Sequence, residues 1–227
     1  MTDPQALAAN DVFDFEHPAV RAFVKSARCY RSANLTEAVE RLHDKVRDDI
    51  DYNVFNVPLH PDLSASEVLD YGSGFCLHKS ILFAAGCRSL GVPAVLCSDT
   101  VTNHVGDPAM HELVGGTEFL HWYTKIRLNG RWVKAAPIFN TLLCMLYGIE
   151  VLRFDATGGD IAQPYHHNTR MQFRGNQHVY VNPTGEELIT VIQRMHPKMV
   201  TTSGKTPSSY EMFPESLERS PNAYVEA

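Results

Sequence analysis

Tyr71-Gly72-Ser73-Gly74-Phe75-Cys76-Leu77-His78, running on to Arg88-Ser89-Leu90-Gly91-Val92-Pro93-Ala94, is the stretch on which the fold turns. Two glycines allow a sharp backbone turn ahead of a helix that runs to Leu90 and is closed by Gly91 and Pro93. Ala94 to Ser98 then reads as a short apolar strand. A cysteine in the first turn of a helix is not chemically neutral. Free amide groups and the helix dipole favour the thiolate there, and the Cys76 N–H itself can donate to a developing oxyanion. Free cysteine is also among the most buried residue types.

Working outward, the pattern before this stretch is helical. Pro18 suits a first helical position, with Val20, Phe23 and Val24 at helical spacing. A second helix is expected over Thr36 to Asp51, its apolar stripe being Val39, Leu42, Val46 and Ile50. Ser64 and Glu67 form a capping box before Tyr71. After the cysteine helix the chain turns to strands. Phe119 to Leu128 and Arg131 to Ala136 flank Asn129-Gly130, a strong hairpin signal. Thr141 to Tyr147 reads as a short helix, and Val151 to Phe154 and Gln177 to Val181 as further strands. Pro183, with Thr184 and Glu187, opens a last helix ending near His196. Helices, then strands, then a helix indicate an α+β fold. The expected organisation is a loose segment over 1–16, one domain over 17–197 and a flexible tail over 198–227.

Composition narrows the function. The chain has 227 residues, 44% hydrophobic and 20% charged, with a net charge of −6. That suits an ordinary globular domain and argues against disorder. There is no basic stripe for nucleic acid, no apolar run near the ~20 residues of a membrane span, and no secretory signal. Five cysteines spread singly form no disulfide framework, so the expected compartment is the cytoplasm.

A nucleophilic cysteine needs a base. Of the eleven histidines, His121 sits at the start of the clearest strand, where a rigid element holds it. With Asn129-Gly130 as the turn, Leu128 faces Arg131, Ile126 faces Val133 and Tyr123 faces Ala136. His121 then shares a face with Tyr123, Trp132, Lys134 and Ala136. His78, two residues past Cys76, points away from it. The loop from Val101 to Thr117, with Asn103, His104, Asp107 and His111, shapes the substrate pocket. His166-His167 with Asp160 has no further ligand at sensible spacing, so no metal and no cofactor are expected.

Taken together these segments resemble the transglutaminase-like superfamily. The resemblance rests on Gly72-x-Gly74-x-Cys76, the Arg88-x-Leu90-Gly91-Val92-Pro93-Ala94 phrase, His121-Trp122-Tyr123, and Gly130-x-Trp132. It is carried further by Asn103-His104 and by Trp132-Val133-Lys134-Ala135-Ala136-Pro137-Ile138-Phe139-Asn140, as in bacterial transglutaminase-like proteins. It implies a papain-like core, with the nucleophile helix packed on an antiparallel sheet. Cys76 is then the nucleophile and His121 its base. The family's aspartate before the proline, which orients the histidine, is replaced by Ala136. Asn140, of the same strand parity, is the first substitute, unless it only caps the following helix; Asp155 is the second.

The implied chemistry is acyl transfer through a thioacyl intermediate, from a small-molecule, peptide or carrier-bound acyl donor to water or an amine. Tyr71, Gly74, Asn103, His104 and Tyr123 are the expected oxyanion and pocket residues. The alternative is a module that has lost catalysis and kept a groove for a peptide or protein.

Overall fold

A computed structural model describes residues 4–27, 29–102, 108–159, 161–163 and 171–212. Helix α1 (Pro18–Ser26) and α2 (Leu35–Asp49) come first, followed by strand β1 (Asp51–Tyr52), α3 (Ala65–Tyr71) and β2 (Ser73–Gly74). The helix that begins at Cys76 is α4 (Cys76–Ser89), and β3 (Ala94–Thr102) follows it directly. Next come α5 (Pro108–Val114), the hairpin β4 (Glu118–Leu128) and β5 (Arg131–Ala135), and α6 (Thr141–Leu146). Short strands β6 (Gln172–Phe173) and β7 (His178–Tyr180) precede α7 (Gly185–Met195). The sheet runs β5-β4-β3-β6 with β7 also on β3, every pairing antiparallel. The α+β class and the antiparallel sheet are as expected.

The local signals act as their chemistry predicts. Ser64 Oγ accepts from Glu67 N at 3.3 Å, and Thr184 Oγ1 from Glu187 N at 3.2 Å. Gly72 takes φ +72°, the left-handed cap that ends α3 and lets the chain turn into β2. Leu128 pairs with Arg131 and Ile126 with Val133, the hairpin register expected from Asn129-Gly130.

Helix α4 is the centre of the molecule, buried from Cys76 to Arg88 on all sides. Two charged residues go in with it. Lys79 Nζ donates to the carbonyls of Arg47 and Ile50 at 2.8 and 2.6 Å, closing the C-terminus of α2. Arg88 donates to Ala94 O, to Asn182 Oδ1 at 2.7 Å, and to the carbonyls of Ala8 and Val181.

Four expectations are corrected. The segment over 1–16, taken as loose, is packed where it is described: Ala6, Val12 and Phe13 are buried, and Arg88 lies over the Phe13 ring. The tail after Lys198 is anchored as far as Met212. Gly204 O accepts from Leu59 N at 2.8 Å, and Thr206 N donates to Val57 O at 2.9 Å. Val151 to Phe154 forms no strand. The loop over 101–117 contains α5, which Pro108 opens at a first helical position.

Arg88→Ala should lower unfolding free energy by more than about 3 kcal/mol, since several buried carbonyls lose a charged donor. The urea midpoint should fall, and limited proteolysis should begin in the N-terminal segment.

Candidate active site

Cys76 is the first residue of α4, and no side chain of Phe75 caps that helix end. Its amides are buried and need partners. His78 supplies one, its Nδ1 accepting from Phe75 N at 3.3 Å while its Nε2 donates to Pro58 O at 2.6 Å. The ring is therefore the neutral Nε2–H tautomer. A Cβ on Gly74 would lie 2.5 Å from His78 Cβ and Cγ, so this turn needs glycine for close approach. His78 points away from the thiol, as expected. Its role in pinning the turn was not foreseen; the His at the third position after the turn was the available signal.

The thiol meets β4 at its edge. Strand β5 pairs with β4 only from Thr124 onward, which leaves the amides of Leu120 and Trp122 open. Trp122 N donates to Cys76 Sγ at 3.4 Å, and Leu120 N to His196 Nε2 at 2.9 Å. The sulfur thus rests against the peptide that joins His121 to Trp122. Amides of Trp122, Leu77 and Cys76 itself favour the thiolate, but burial outweighs them and pushes the thiol up to about 12. Cys76 is 4% exposed, beside a cavity of about 20 Å³ lined by Tyr52, Val54, Met110, Leu120, Trp122 and His196 among others. That is room for about one water molecule.

The imidazole stands on the other side of the strand. Leu120 and Trp122 line the sulfur's cavity, and Thr124 Oγ1 donates to Ser80 O of α4 at 3.1 Å. His121, one residue out of step, meets the rings of Tyr123 and Phe173 at 6.5 and 5.8 Å. It is 3% exposed, burial alone holds it down to about 4, and its Nε2 has no partner among the described residues. No hydrogen bond links it to Cys76 among those residues. His196, which does border the cavity, is not a spare base. Its Nε2 is occupied by Leu120 N–H, and its Nδ1–H donates to Val114 O at 2.8 Å.

Both expected orienting residues are corrected. Asn140 accepts from Tyr52 N at 2.7 Å and donates to Arg47 O and Ile50 O at 2.6 and 2.9 Å, so it serves the end of α2. Its parity with Ala136 fails because the chain turns between them, Ile138 N bonding Ala136 O at 2.9 Å. Asp155 is exposed and accepts from Thr157 N and Oγ1 in a local turn. Tyr71 donates to Asn56 O, away from the thiol. Tyr123 lies on the His121 side, and its hydroxyl is buried with no partner among the described residues. Gly74 shapes the turn. Asn103, His104, Asp160 and His166-His167 fall outside the described residues. Among the described residues no cluster suits a metal ion, and no helix is long and apolar enough to cross a membrane.

The match to the transglutaminase-like superfamily model spans residues 25–137, from α1 through β5. Those residues belong to the transglutaminase-like superfamily. No curated protein matches the chain. Among solved structures it is similar to a candidate cysteine protease from Cytophaga hutchinsonii, at 15% identity and a TM-score of 0.40. That match covers 77% of this chain and 53% of the other. It is also similar to the periplasmic domain of TgpA from Pseudomonas aeruginosa, at 20% identity and a TM-score of 0.43. There the cover is 60% of this chain and 48% of the other. The chain thus matches about half the length of each.

Two outcomes follow from this geometry. Asn140→Ala should cost about 2 kcal/mol, because buried backbone groups lose their partner, while native-state alkylation of Cys76 keeps its rate at fixed pH. A catalytic Asn140 would instead change that rate. His78 is held near 4 against an ordinary 6.5. Between those values the unfolded chain binds a proton that the folded chain refuses. Its contribution is therefore full above pH 6.5 and falls by about 3 kcal/mol as the pH drops to 4. Urea midpoints measured across that range should show the fall, and His78→Gln should make it shallower by about that amount, the share of the other buried histidines remaining.

Proposed function

We propose that this chain is a cysteine-nucleophile acyl-transfer enzyme that forms and resolves a thioester on Cys76. What carries the reading is the seat of the sulfur, at the first residue of a buried helix and 3.4 Å from the nitrogen of the His121–Trp122 peptide. The sulfur thus touches the peptide that carries His121. In the reaction His121 takes the Cys76 proton as sulfur attacks an amide or thioester carbonyl. The imidazolium returns that proton to the leaving amine or thiol. Water, with His121 again as base, then releases the acid and restores the thiol. The Cys76 N–H is the first oxyanion donor. Water is the favoured acceptor because no amine-binding feature is present among the described residues. The acyl donor is a small molecule, a peptide or a carrier-bound thioester. All five cysteines are free and buried, which supports a reducing compartment, the cytoplasm.

Turnover requires two changes from the arrangement described. The walls of the cavity, Met110 and Val114 of α5 and Met199, must part to admit an acyl group. The His121 ring must turn toward the sulfur.

A second reading is a transglutaminase-like module without turnover. Ala136 in place of the orienting aspartate and the burial of the His121 ring on the far side of the strand from Cys76 favour it. Alkylation by iodoacetamide over a pH series, with the labelled site read by mass spectrometry, separates the two. Acyl transfer predicts Cys76 labelled well ahead of Cys29, Cys87, Cys97 and Cys144. It also predicts a rate inflection that His121→Ala moves upward, and hydrolysis of some member of an amide, ester and thioester panel that Cys76→Ala abolishes. Uniformly slow labelling with no Cys76-dependent turnover would establish the module.

A further inference from the structure

Ala136 offers His121 no polar atom, Asn140 is spent on α2, and Asp155 lies in an exposed turn. The register of the sheet supplies another carboxylate. In the β3–β4 ladder Asp99 is the residue directly opposite His121. Residues opposed in this way project to the same face with Cβ atoms about 5 Å apart. Asp99 is 3% exposed, as deeply buried as His121. One oxygen is already fixed, Oδ1 accepting from Asn176 N at 2.9 Å just beyond β6. His121 Nε2 is buried and has no partner among the described residues. A buried carboxylate and a buried imidazole with a spare ring nitrogen thus stand side by side on neighbouring strands, braced from behind by a backbone amide. Burying such a carboxylate is costly unless a donor meets it.

We propose that Asp99 is the positioning residue for His121, accepting a ring N–H on the face of β4 away from Cys76 and fixing the tautomer of the imidazole. This rests on the acyl-transfer reading for its purpose but not for its test. The hydrogen bond fixes the tautomer and favours the imidazolium that forms when sulfur is acylated. The other titratable side chains on this face among the described residues are Cys97 of β3, Tyr123, Lys125 and Arg127 of β4, and Lys134 of β5. Lys134 Nζ lies over the Tyr123 and Phe173 rings at 5.5 Å. Lys125 Nζ is directed to Gln177 Oε1 at 2.8 Å. Asp99 is the one carboxylate among them.

The test is long-range ¹H–¹⁵N NMR on uniformly labelled protein, with the His121 ring signals assigned by their loss in His121→Gln. Asp99→Asn keeps an oxygen for the Asn176 amide and removes only the charge. The proposal expects a single His121 tautomer in the wild type. In Asp99→Asn the midpoint of its titration should fall by about one pH unit or more, a tenfold loss of proton affinity. The wild type alone gives a second reading if the variant does not fold: a ring N–H shifted far downfield by a carboxylate acceptor. Unchanged titration and tautomer in Asp99→Asn, or no downfield N–H in the wild type, would overturn it. If the titration moves while neither protein turns over any acyl donor, the positioning role stands and acyl transfer falls.

Discussion

The amides at the N-terminus of α4 and along the open edge of β4 are out of water, and each must find an acceptor. That requirement organises the site. Trp122 N–H takes the Cys76 sulfur, Leu120 N–H takes His196, and Phe75 N–H takes His78. Each acceptor is a side chain brought in because backbone pairing has stopped, at the end of β5 on one side and the start of the helix on the other. His78 in turn demands Gly74, since any Cβ there would collide with its ring. The glycine turn, the nucleophile and the edge of the strand therefore form one unit.

The same dryness sets the chemistry. Moving the thiol from 9.0 up to about 12 makes the resting thiolate costlier by about 4 kcal/mol. Burial likewise holds His121 neutral. In the proposed reaction neither group ionises alone, and proton transfer between them produces both charges together, where mutual attraction offsets desolvation. In that reading the site stays a neutral thiol and, across the strand, a neutral imidazole until something admits the substrate and turns the ring. The amides on the sulfur need no such change, because their dipoles already point at the charge that will form.

What could be read in the sequence was what is local. The Gly72–Cys76 turn, the side-chain caps at Ser64 and Thr184, and the Asn129-Gly130 hairpin depend on neighbours within a few residues and form where expected, although among the described residues the expected capping boxes lack the return bond, Glu67 Oε1 meeting His60 instead. What could not be read depends on distant partners. Strand β3 continues to Thr102 because β4 and β6 flank it, whereas its apolar run alone ends near Ser98. Asp99 lies just past that apolar run, so its place opposite His121 is not legible in the sequence. Asn140 was assigned by counting strand parity past Pro137, and the turn at Ala136–Ile138 breaks the count. The N-terminal segment looked loose because its anchor, Arg88, is eighty residues away.

Strand β4 has two neighbours, and this bears on the missing aspartate at Ala136. A histidine on a central strand has one cross-strand partner to each side on its own face. The β5 side ends at Ala135, and beyond it the open edge is occupied by the Cys76 sulfur. The β3 side is fully paired and places Asp99 opposite the ring. The sulfur lies at the open edge on one face of β4, and the imidazole and Asp99 occupy opposed positions on the other face. If Asp99 positions the ring as proposed, the residue before Pro137 no longer has to be acidic. The arrangement also ties the base to the most heavily paired strand of the sheet. The moving parts of the reaction are then left to the His121 ring and to the walls around Cys76.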